Sequence, residues 1–197
     1  MQGVEASNSS MDHNHNQSCR YDVFISFRDP DTRNKFVDHL YGHLTRKGIF
    51  AFKVDKRLKK GESLSPQLLQ AIKNSRISIV VFSERYAEST WCLEEMATIA
   101  ECRKEFNQKV FPIFYDVDPS HVRHRSGLYQ NAFDLYRMRF KHDQNKVGRW
   151  SNAMKVLANL VGWNIRNKDK PEPTRFRGIL GIGICLFRTV KSFNFCN

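Results

Sequence analysis

Four short apolar runs, alternating with segments of helical periodicity, restrict this chain to very few architectures. The runs are Tyr21–Phe27, Ile49–Asp55, Ile77–Ser83 and Val110–Val117, and each reads as a strand covered on most of both faces. Between them the apolar spacing changes to that of a helix. Phe36, Val37, Leu40, Tyr41 and Leu44 form one stripe that ends at Gly48. Ser65 and Pro66 open a second helix with Leu68, Leu69 and Ile72 inward. Leu93, Met96 and Ala100 share a face of a third, with Glu95 on another face. After the fourth run, Asp118-Pro119-Ser120 caps a segment that is helical after Gly127 and carries Phe133, Leu135, Tyr136 and Phe140. Trp150 to Trp163 closes the domain as an amphipathic helix. Strand–helix alternation of this kind requires parallel strands joined by right-handed crossovers, hence an open, doubly wound, flavodoxin-like α/β sheet of four or five strands. Pro112 suggests an edge or a bulge in the fourth strand. A fifth strand is expected between Tyr129 and Gly148.

Length and composition narrow the class. The 197 residues suit one domain with tails, and 41% hydrophobic with 26% charged residues is a globular balance. No apolar run approaches the ~20 residues of a membrane-spanning helix. Residues 1–19 are polar with no apolar signal region, and Gln2 excludes N-myristoylation. Five cysteines, at 19, 92, 102, 185 and 196, include no C-x-x-C pair, which fits a reducing cytoplasmic or nuclear compartment. His13, His15 and Cys19 do not make a closed four-ligand set, so no metal site is expected. The net charge of +12 invites a polyanionic partner. The basic residues are dispersed, however, and match no nucleic-acid-binding motif, which leaves nucleic acid a secondary expectation. Residues 167–197 begin as a Lys-Asp-Lys-Pro-Glu-Pro linker. Gly178–Phe187 reads as an irregular apolar tail packing loosely, with contact to a membrane surface the alternative reading, given Arg175, Arg177, Arg188 and Lys191.

The stretch Ser89-Thr90-Trp91-Cys92-Leu93-Glu94-Glu95-Met96 stands where the third strand meets its helix. Open α/β sheets bind ligands at the carboxyl ends of their strands, so a carboxylate here beside an indole is a candidate for chemistry. A solvated acid on a helix and an indole filling the core are the bland alternatives. No phosphate-binding G-x-x-x-x-G-K-[ST] loop occurs, which removes a nucleotide-triphosphatase module from the 197 residues.

Five motifs in order, YDVFISFRDPDTR, KGESLSPQLLQAI, SRISIVVFSERYAESTWCLEE, VFPIFYDVDPSHVR and the RW-led closing helix, resemble the Toll/interleukin-1 receptor (TIR) domain of plant immune receptors over residues 20–166. The resemblance implies a flavodoxin-like fold. It also implies cleavage of NAD, as substrate and not cofactor, at the nicotinamide–ribose bond once self-association completes the site. It assigns catalysis to Glu95, the last acid of the W-C-L-x-E motif, and puts Glu94 at the variable position, where an exposed side chain is expected. Arg28, Ser89 and Trp91 are placed by it around the dinucleotide, with Lys59, Lys60 and Gly61 in a loop that closes the site. Cys92 matches a residue tied to a second activity, nucleic-acid-dependent 2′,3′-cyclic nucleotide synthesis. Asp38 and His39 fall on the helix surface used for self-association. The implied partners are further copies, full-length TIR-type receptors and lipase-like defence proteins. A catalytically weak adaptor or decoy is the rival function.

One departure stands out. FRDPDTR replaces the family's usual FRGEDTR, and a left-handed backbone at the glycine position would strain Asp29.

Overall fold

The computed structural model describes residues 19–32, 36–53, 66–166 and 177–194. Five parallel strands, β1 (Tyr21–Phe27), β2 (Ala51–Lys53), β3 (Ser75–Ser83), β4 (Lys109–Tyr115) and β5 (Trp163–Ile165), form one sheet in the order β2-β1-β3-β4-β5. The helices are α1 (Asp29–Thr32), α2 (Asp38–Arg46), α3 (Pro66–Lys73), α4 (Thr90–Phe106), α5 (Pro119–His124), α6 (Leu128–Arg139), α7 (Gln144–Ala158) and α8 (Arg177–Asn194). The expected doubly wound α/β sheet is present.

Side chains alternate across the sheet with period two, and this divides the core. Phe24, Val80, Phe82 and Phe114 join one buried cluster with α3, α4, α6 and α7. Val23, Ile25, Phe27, Ile77, Ile79, Val81 and Ile113 join the opposite cluster with α2 and α8. By the same alternation Ser26 points to the α4 side. Register holds β1 and β3 together over Tyr21↔Ser75 to Phe27↔Val81, and β3 runs two residues further to Ser83.

α4 is buried on more than one face, through Cys92, Leu93, Glu95, Met96, Ala97, Ile99 and Cys102. Ser89 caps its start, accepting from Cys92 N at 3.3 Å, and left-handed Asn107 ends it. Glu94, expected to be exposed, is half-buried. Lys146 of α7 lies 3.3 Å from it, and Arg149 of α7 bridges it to Glu101.

Two expectations are corrected. The fifth strand lies at Trp163–Ile165, not between Tyr129 and Gly148, where α6 and α7 run. Glycine content hid the second difference: residues 177–194 form a full helix, α8, that buries Ile179, Ile182, Leu186 and Val190. Gly178 of α8 abuts Ile165, and Gly183 abuts the His43 ring of α2. A Cβ at either position would meet those side chains, so glycine lets the helix approach closely. The closing helix is likewise set earlier than read, at Gln144–Ala158.

Pro112 belongs to β4, and β4–β5 pairing starts one residue later at Ile113↔Trp163. It therefore has a sheet neighbour on one side only, the edge character its missing donor demands. Asp29 is not among the described residues with positive φ; it opens α1, with Pro30 in the first turn, where proline is tolerated. The altered loop thus carries no left-handed strain at Asp29.

Candidate active site

At the carboxyl end of β1, Ser26 Oγ donates to Glu95 Oε2 at 2.6 Å. Glu95 lies in the second turn of α4 and is 0% exposed. The hydroxyl of Tyr86, from the 3-10 turn Tyr86–Glu88 after β3, stands 2.9 Å from Ser26 Oγ and donates to the Cys92 carbonyl at 2.9 Å. Burial, with Cys92 and Glu95 nearby, pushes the Tyr86 phenol well above its ordinary value, so it remains a donor. Cys92 is itself buried, its Sγ donating to the Phe27 carbonyl at 3.4 Å. Three elements therefore converge on one carboxylate in a water-poor setting, where each hydrogen bond is electrostatically stronger than in water.

A second polar layer lies beside it. Arg28 Nη1 contacts Asp31 Oδ1 at 2.5 Å, and its Nη2 lies 3.4 Å from Glu88. Ser83 Oγ, at the end of β3, donates to the other Asp31 oxygen at 2.5 Å. Tyr129 of α6 donates to the Ser83 carbonyl at 2.6 Å. Arg28 is thus held by two acids of its own chain. Such a residue lines a site as part of an ion-pair lattice, with part of its charge already matched.

The structure brings Arg28, Ser89, Trp91, Cys92 and Glu95 to the carboxyl ends of β1 and β3. Ser89 serves as the α4 cap, and Trp91 is half-buried against the α4-side cluster. Lys59, Lys60 and Gly61 lie outside the described residues. Asp38 and His39 are elsewhere, on α2. His39 is exposed, whereas Asp38 is half-buried and pairs with Lys53 Nζ at 2.5 Å. Among the described residues no group of His, Cys, Asp and Glu can hold a metal ion. Sequence reasoning assigned no site role to Ser26, Tyr86, Ser83 or Asp31. Strand alternation could have put Ser26 on the α4 side; nothing local announced its bond to Glu95.

The TIR domain family profile matches residues 20–173. The chain belongs to the TIR domain family. It is 46% identical over 186 residues to disease resistance protein RPV1 of Vitis rotundifolia, covering 94% of this chain and 13% of that protein. It is 47% identical over 160 residues to TMV resistance protein N of Nicotiana glutinosa, covering 81% of this chain and 14% of that one. The TIR chain therefore spans about one seventh of these relatives. Among solved structures, the TIR domains of the activated Roq1 resistosome directly recognizing the pathogen effector XopQ match with TM-score 0.71 and 46% identity. That match covers 82% of this TIR chain and 98% of the other.

Proposed function

We propose that this TIR domain self-associates in plant immune signalling and cleaves NAD at the nicotinamide–ribose bond, with Glu95 as the catalytic carboxylate. One observation carries the reading. Glu95 is buried at the carboxyl ends of the central strands and oriented by Ser26 Oγ at 2.6 Å, where doubly wound sheets place their ligands.

The chemistry suits a single acid. As the C1′–N bond breaks, its electron pair leaves with nicotinamide, which departs neutral and needs no proton. The ribose acquires oxocarbenium character, which a nearby carboxylate stabilises. Water then adds at C1′ and releases one proton, giving ADP-ribose. Attack by a hydroxyl or ring nitrogen of the same molecule gives a cyclic product instead. Ser26 holds Glu95, while Trp91 and Arg28 are the expected contacts to the dinucleotide.

Glu95 has no exposed surface in this conformation, so substrate entry requires the covering residues to move. Assembly of several copies is the step assigned to that opening. The resistosome match supports assembly as the context. Lipase-like defence proteins that take up the nucleotide product, and full-length TIR receptors, are the proposed partners.

The same burial favours a second reading, an adaptor that pairs with other TIR domains without turnover. It disfavours a third, cyclic-nucleotide synthesis at Cys92, because that thiol is also covered. The deciding measurement is nicotinamide release by concentrated protein, with Glu95→Gln alongside. Release by the native chain and a loss of at least ~100-fold in the variant are expected. Equal release by both would remove Glu95 as the catalytic carboxylate, and none from either when crowded into assemblies overturns the catalytic reading in favour of the adaptor.

A further inference from the structure

Helix α8 has two apolar stripes: one is buried by the fold, and the other leaves Leu180 and Ile184 exposed, with Phe187 partly packed against the core. Ile179, Ile182, Leu186 and Val190 face the sheet. Turning by about 100° per residue, Leu180, Ile184, Phe187 and Lys191 form a second stripe, with Arg188 at its margin. Leu180 is 57% exposed and Ile184 49%, while Phe187 is partly buried. Gly183 faces His43 of α2 and Gly178 faces Ile165 on the other flank. The open stripe therefore runs along the α2 side of the helix.

The charges on α8 and at the end of α2 have one sign. The segment Arg177–Asn194 contains no Asp or Glu. Arg188 and Lys191 are exposed on α8, as are Arg46 and Lys47 at the end of α2. Asp38, the acid of α2, is engaged with Lys53. Lys191 Nζ lies 5.5 Å over the Phe187 ring, a cation–π contact that places the ammonium beside the last aromatic side chain of the stripe. An apolar ridge with a cationic rim is the pattern of a helix lying in a bilayer interface.

We propose that the α8 stripe, centred on Leu180, Ile184 and Phe187 and edged by Arg188, Lys191, Arg46 and Lys47, docks this TIR domain on an anionic membrane surface. Charge decides between the possible occupants. A second copy placed on this stripe would oppose cations to cations, whereas acidic lipid headgroups neutralise them. Docking uses the helix as folded and leaves its sheet-facing stripe in place. Among the described residues no helix is long and apolar enough to cross a membrane, so the contact is with the surface. The inference is independent of the NAD reading.

Co-sedimentation with vesicles tests it. Phosphatidylcholine vesicles with 30% phosphatidylserine should bind the chain, and binding should weaken at high salt. Replacing Arg188→Gln with Lys191→Gln should weaken binding roughly 25-fold, about 5-fold per cation. Leu180→Ser with Ile184→Ser should reduce binding at every salt concentration. The control pair Arg103→Gln with Lys104→Gln, exposed on α4, removes the same charge and should change binding less than 2-fold. Slowed hydrogen exchange in α8 of the unaltered chain on adding vesicles provides a readout without substitutions. Equal losses in control and α8 pairs would assign binding to diffuse net charge and overturn the proposal. So would absence of binding, or a dimer abolished by Leu180→Ser with Ile184→Ser in a chain that ignores vesicles.

Discussion

Glu95 shows how a residue acquires its setting from contacts distant in sequence. Ser26 reaches it from β1, Tyr86 from the turn after β3 meets Ser26 in turn, and neither shares a local pattern with it. The family motif identified Glu95, yet helical periodicity only separated it from the Leu93–Met96 face and gave no sign of complete burial. Motif position was legible; the polar cage was not, because cages are made by tertiary register. Ser26→Ala removes a hydrogen bond to a carboxylate, a contribution of about 1.5–3 kcal/mol. A lower urea midpoint is expected. In the NAD-cleavage assay kcat should fall with KM little changed, since Ser26 positions Glu95 rather than the substrate. A KM effect of similar size would instead put Ser26 in substrate binding.

At the scale of elements, four strands were readable because each is, or lies inside, a mostly apolar run of seven or more residues. β5 has three residues and no period to read. α8 was missed for a different reason: each helical glycine costs about 1 kcal/mol against alanine, so Gly178, Gly181 and Gly183 argue locally against helix. Packing overrides that cost, and two of the three glycines sit where neighbours come close. One neighbour, His43, provides a test of the α2–α8 contact. Burial first, then Arg46 and Lys47, lower its pKa below the ordinary 6.5. The unfolded chain therefore takes up this proton before the folded one does. The contribution is fully present above about pH 6.5 and is lost as pH falls through that value toward the folded pKa. Urea midpoints should drop between about pH 7.5 and 5.5, and His43→Gln should shrink the drop. An unchanged drop would remove His43 from the account.

For the molecule as a whole, one sheet separates two apolar clusters, and neither can exist without it. Trp150 anchors one cluster, packed edge-on against Tyr136 and Phe140. Leu186 anchors the other from α8. Trp150→Ala should cost about 3–5 kcal/mol and Leu186→Ala about 2–5 kcal/mol. Because the clusters share β1 and β3, calorimetry should show a single transition shifted by either change. Two separated transitions in the Leu186→Ala protein would mean that the α8 side melts on its own.

The order of the sheet has a consequence during synthesis. β1 lies second from one edge of the sheet and is the first strand made, but α8, which closes its β4–β5 end on the α2 side, is made last among the described elements. At ordinary ribosomal rates roughly ten to thirty seconds separate the two. Within that interval Ile79 and Val81, then Ile113 and last Ile165, are made with part of their cover still unmade. Anything in the cell that shields apolar surface on emerging chains has this face as its natural target until α8 leaves the ribosome.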